Sequence, residues 1–146
     1  MTIGYHDFEK SKFISWLFIY FQLIDIWLVT LFKIIPKSKG SRVLICDRGA
    51  YDTLIDVMVD TRNTSLYKSS LGKAFLKFLP VPHKVFFIVR EPGKIFESRP
   101  DVRLDKNFRI RYELYQACSS EFKWTVIQNN GTPEETLNNL LSQLSL

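Results

Sequence analysis

The chain has 146 residues, 46% of them hydrophobic and 24% charged, with a formal net charge of +5. That length and balance fit a single globular domain over residues 1–146 and exclude a disordered chain. Five of the eight arginines (Arg90, Arg99, Arg103, Arg109, Arg111) fall within residues 90–111, a cluster that suits a phosphorylated small molecule and is too short for a nucleic-acid face.

Residues 13–35 (FISWLFIYFQLIDIWLVTLFKII) are apolar almost without interruption. The run predicts one long helix and is long enough to span a bilayer. Asp25 near its centre would cost about 2.5–3.5 kcal/mol there, against about 0.3–0.6 contributed by each Leu, Ile, Phe or Val. Fifteen such residues outweigh one aspartate, so energetics leave insertion open. The run is too long for a signal peptide and lacks a small-residue cleavage site. Lysines flank both ends (Lys10 and Lys12; Lys33, Lys37 and Lys39), so charge sets no orientation. Because the run leads through Pro36 and Gly40 into a strand-like segment, the expectation is a core helix packed on a sheet. A membrane segment is the alternative.

Residues 42–60 read RVLICDRGAYDTLIDVMVD. Val43 to Cys46 predict a strand of a parallel sheet, covered on both faces, near 43–47. Tyr51, Leu54, Ile55 and Met58 then recur at helical spacing, so a helix begins at about residue 50. Between them lie Asp47, Arg48 and Gly49. A strand ending in a carboxylate and a guanidinium, followed by a helix, is where open α/β sheets place ligand chemistry. Asp47 could hold a hydrated divalent cation, and the fork of Arg48 could clamp a phosphate. A strand-end ion pair beside a solvated acidic stripe (Asp52, Asp56, Asp60) is the plainer alternative.

Residues 61–68 read as a loop. Leu71, Phe75, Phe78 and Leu79 mark a helix capped by Ser69 and stopped by Pro80 and Pro82. Val85 to Val89 predict a second buried strand, followed by the basic segment REPGKIFESRPDVRLDK. Residues 106–121 predict a helix with Ile110, Leu114, Ala117 and Cys118 on its apolar face. A third strand is expected near 124–128. Thr132, Pro133 and Glu135 then form a capping-box helix start, and Leu137, Leu140, Leu141 and Leu144 are expected to bury one face. Cys46 and Cys118 have no motif spacing and are expected to be buried, reduced thiols of a cytoplasmic protein.

The segment VLICDRGAYDTLIDVMVD resembles the Asp-Arg segment of thymidylate kinases and their P-loop nucleotide-kinase relatives, and the likeness extends over roughly residues 12–145. It implies an α/β fold, a three-layer α/β/α sandwich around a parallel sheet, here incomplete at the N-terminus. It also implies phosphoryl transfer from ATP, with Mg2+, to a nucleoside monophosphate such as dTMP. Arg48, Tyr51 and Asp52 would then contact the acceptor, and Asp47 would act in catalysis and at the metal. Arg99 and Arg103 would be lid arginines over the transferred phosphate, where a mobile loop supplies charge on closure. Tyr112 matches a tyrosine frequent in the family's helix. Gly49 departs from the pattern, since an aromatic residue commonly follows the Asp-Arg pair, and so does Gln128 or Asn129, at one of which an aspartate is usual. A homodimer is compatible with the resemblance.

One part of the family's machinery is missing. None of the six glycines fits G-x-x-x-x-G-K-[ST], the loop whose amides wrap nucleotide phosphates. The resemblance places the strand that carries this loop between the strands at 43–47 and 85–89. Without it those two must pair directly or leave apolar edges open. The expectation is therefore a kinase-like chain inactive without an upstream phosphate loop. Alternatives are a non-catalytic or membrane-peripheral interaction protein and, less favoured, a sulfotransferase. The last rests on IPKSKGS and on the spacing of Arg90 and Ser98, and a strand after residue 41 counts against it.

Overall fold

A computed structural model describes residues 11–39 and 43–144. The protein is α/β, mostly helical, with a small two-stranded parallel sheet. It packs as two compact units, Met1–Val81 and Pro82–Leu146.

In the first unit α1 (Lys12–Val29) starts at Ser11, whose hydroxyl accepts from the Ile14 amide. It runs on through a π-helical turn (Thr30–Ile34) into α2 (Ile35–Ser38). The π turn has a local cause. Pro36 brings no N–H and crowds the carbonyl four residues before it, and widening the turn relieves both problems. The Ile35 amide accordingly reaches back to the Thr30 carbonyl.

Only one stripe of α1 is buried, Ile19, Leu23 and Ile26 at helical spacing, and Thr30 of the π turn continues it. It packs on α3 (Ala50–Thr61), in which Leu54, Ile55 and Met58 are fully buried. The expected helix over 13–35 is present, but within this unit its partner is another helix. Beyond α3, a 3-10 turn (Leu66–Lys68) leads into α4 (Ser70–Ala74), capped by Ser69 as expected. Gly72 fits because a Cβ there would overlap the Leu66 carbonyl. The predicted helix toward residue 79 shortens to α4 followed by turns. Trp27 ties α1 to this end, its Nε1 donating to the Ala74 carbonyl at 2.7 Å while its ring stands edge-on to Phe78.

The strand expected at 43–47 does not form. Val43 and Ile45 are 79% and 85% exposed, and Cys46 is exposed rather than buried. The reason is pairing: a strand needs a neighbouring ladder, and among the described residues this segment has none. Gly40, read as the break before that strand, lies outside the described residues.

The second unit is built on a βαβ crossover. Strand β1 (Phe86–Val89) pairs in parallel with β2 (Thr125–Gln128), with Phe86 opposite Thr125 and Val89 opposite Gln128. Between them come α5 (Pro92–Ser98), a 3-10 turn (Pro100–Leu104) and α6 (Phe108–Glu121). Leu114 and Cys118 of α6 are buried, and Tyr115 stacks on Phe87 of β1 at 5.5 Å. The last helix, α7 (Pro133–Gln143), begins at the expected capping box. Its leucine face is less covered than expected, with Leu137 and Leu141 about half exposed. Three parallel strands were expected and two form, one short of what an independently stable sheet ordinarily needs.

Candidate functional site

The residues singled out by sequence fall in two places. Asp47, Arg48, Tyr51 and Asp52 gather at the start of α3 in the first unit, and Arg99 and Arg103 lie in the second.

At the start of α3 the chain turns sharply. Arg48 adopts φ 57°, in the left-handed region, which a non-glycine residue occupies at a cost of about 1–2 kcal/mol. The turn is closed by α3 itself. The Gly49 amide donates to the Asp52 carboxylate at 3.0 Å, and the Gly49 carbonyl accepts from the amide and hydroxyl of Thr53 at 3.0 and 3.2 Å. Asp52 thus serves the helix start, where an acidic side chain also favours the dipole. Asp47 and Arg48 are exposed, and Tyr51 is half-buried in the first turn. A left-handed arginine at the start of a helix whose inner face is fully buried is local strain of the kind found at ligand-binding positions.

Among the described residues no three His, Cys, Asp or Glu side chains cluster in a way that could hold a metal ion. Asp47 alone therefore fits Mg2+ only in a site completed by substrate phosphates and water, the usual habit of that ion. ATP fits less well, because no stretch of the sequence supplies the glycine-rich amide cradle its phosphates need.

In the second unit the carboxyl ends of the two strands are joined by side chains. The Glu91 amide donates to Asn130 Oδ1 and Asn130 Nδ2 donates to Glu91 Oε1, each at 3.1 Å. Lys94 Nζ donates to the Asn130 carbonyl at 3.2 Å. Arg90 Nη1 donates to the Ser98 hydroxyl at 3.1 Å, so these two residues do meet. Arg99 pairs with Asp101 at 2.8 Å in full solvent. The Arg99 hydrogen bond holds the Asp101 carboxyl below its ordinary range, and Asp101 in turn raises the guanidinium. The Arg103 guanidinium lies over the Phe96 ring, 6.0 Å from its centroid.

Next to this strand-end cluster a groove of about 560 Å³ opens between the sheet and α6, lined in part by Phe87, Val89, Tyr112, Gln116, Gln128 and Asn130. Of these only Tyr112 was singled out from sequence for a possible role. Gln116 and Asn130 carried no motif signal; the rule that open α/β sheets bind ligands beyond their strand ends was the available pointer.

No protein family, no curated protein and no solved structure matches the chain.

Proposed function

We propose that the chain carries the acceptor-binding and lid segments of a thymidylate-kinase-like phosphoryl transferase. In this reading the full fold is a three-layer α/β/α sandwich around a parallel sheet. The observation that carries the proposal is Arg48, exposed and held left-handed between Asp47 and Gly49 at the start of α3. Its fork would clamp the phosphate of a nucleoside monophosphate, with Asp47 beside it and Tyr51 against the nucleoside. Asp52 would act by fixing the turn. Arg99 and Arg103 would be the lid arginines that the resemblance implies, and Arg99 would have to exchange Asp101 for a ligand. Support also comes from β1, which among the described residues pairs with β2 alone and so keeps an edge that a further parallel strand could fill. Without a phosphate loop we assign this chain no step through ATP.

Calorimetry with dTMP and with ATP tests the reading. A bidentate charged contact contributes about 1.5–3 kcal/mol, so Arg48→Ala should weaken dTMP binding about tenfold or more. Arg48→Lys should recover only part, since an ammonium cannot reproduce the fork. ATP binding should be negligible in all three proteins. Equal dTMP affinity for wild type and Arg48→Ala would reduce Arg48 to a turn residue, and tight ATP binding would overturn the argument from the missing loop.

A further inference from the structure

Helix α1 carries two apolar stripes, and α3 covers only one. Phe13, Leu17, Tyr20, Ile24, Leu28 and Leu31 follow one another at 4-3-4-4-3 spacing, and every one is exposed, Phe13 to 76%. The stripe is about 27 Å long at 1.5 Å per residue, and Phe21 and Phe32 widen it, the latter 74% exposed. No charged side chain interrupts it. Asp25, the one acid on the helix, lies at its border, about a quarter-turn from its centre at 100° per residue. The continuous helix Lys12–Ser38 is apolar enough to cross a bilayer by length and composition, yet its most apolar window, with a mean hydropathy of 1.8, is only 22% buried. An uncovered face of this size on a soluble protein marks an interaction surface.

Three observations identify what covers it. Exposed cations stand at both ends, Lys12 at one and Lys33, Lys37 and Lys39 at the other, with none between. Trp16 and Tyr20, with ring centroids 5.3 Å apart, sit toward one end, and such amphipathic rings favour the headgroup level of a membrane. The opposite stripe is locked onto α3, whose core positions would lose their cover if α1 were surrounded by lipid. We infer that α1 docks lengthwise on an anionic lipid surface, its Phe13–Leu31 stripe in the acyl boundary and its terminal lysines on lipid phosphates and carboxylates. A transbilayer span would strip the α3 contact. An antiparallel second copy would set Lys12 of each chain near the partner's C-terminal lysines. This inference does not rest on the kinase reading, and its failure would leave that reading untouched.

Vesicle flotation with the purified full chain tests it. The chain should float with phosphatidylcholine vesicles containing about one-third phosphatidylserine, float less with pure phosphatidylcholine, and come off in high salt or carbonate. Phe13→Ser/Leu17→Ser/Phe21→Ser alters exposed side chains only, so its urea midpoint should match wild type while partitioning falls about tenfold or more. Lys33→Glu/Lys37→Glu, which leaves the apolar stripe intact, should abolish the preference for the anionic vesicles. Retention after a carbonate wash would overturn the proposal in favour of a span. Absence of binding to either vesicle would overturn it too, as would equal flotation of the serine variant. A dimer in sedimentation that the serine variant dissolves, without vesicle binding, would assign the stripe to a second copy instead.

Discussion

Glu91 and Asn130, 39 residues apart in sequence, hold each other by two reciprocal hydrogen bonds of 3.1 Å at the carboxyl ends of β1 and β2. The backbone ladder ends one step earlier, with the Asn129 amide on the Val89 carbonyl. The side-chain pair therefore extends the strand register into the loops, and Lys94 adds a third link through the Asn130 carbonyl. Glu91 and Asn130 both line the groove beside α6, so these bonds tie together two sides of its mouth.

Asn130→Ala removes both reciprocal bonds. Each contributes about 0.5–1.5 kcal/mol, toward the low end where water can replace the lost partner. The expected loss is about 1–2 kcal/mol, read as a lower urea midpoint with unchanged m-value. Glu91→Gln keeps an acceptor for Asn130 and should cost less. A midpoint for Asn130→Ala equal to wild type would show that β1–β2 pairing needs no brace.

Arg48→Gly separates strain from function at one position. Glycine adopts a positive φ freely, relieving about 1–2 kcal/mol, against about 0.5–1 lost to its greater freedom in the unfolded chain. The net expectation is a gain in stability of about 0.5–1 kcal/mol, together with weakened dTMP binding. Destabilisation by Arg48→Gly would mean that the arginine side chain, rather than the turn it makes, holds the start of α3.

Cys46 and Cys118 should behave as opposites. Cys46 is exposed, whereas Cys118 is buried on α6, and burial, with a smaller contribution from Glu121, pushes its thiol up to about 11. The folded state thus keeps its proton where the unfolded thiol gives it up. Stability from this group is complete below the ordinary thiol pKa near 9 and is lost as pH rises from there toward about 11. A thiol reagent at neutral pH should label one cysteine per chain, absent in Cys46→Ser, and reach the second only in denaturant. The fall in stability between pH 9 and 11 should be shallower in Cys118→Ala. Rapid labelling of Cys118 in the native protein would contradict its burial.

What local sequence determined is the set of helix starts and faces. Thr132, Pro133 and Glu135 specify the beginning of α7 by bonds that close within four residues. The spacing of Tyr51, Leu54, Ile55 and Met58 specified α3 in the same way, because a helix satisfies its own backbone. Tertiary structure decided everything that needs a distant partner. Val43–Cys46 has strand composition but no neighbouring strand, so composition alone misplaced it, whereas VFFIV and TVIQ found each other across the α5–α6 crossover. In α1 nearly every position is apolar, and no pattern within the helix distinguishes the Ile19 stripe from the Phe13 stripe; the α3 surface makes that choice. The link from Glu91 to Asn130, like the groove it borders, exists only once β1 and β2 lie side by side. Helical contacts are short-range and legible in one stretch of chain, while strand pairing and helix docking depend on which surfaces the rest of the chain presents.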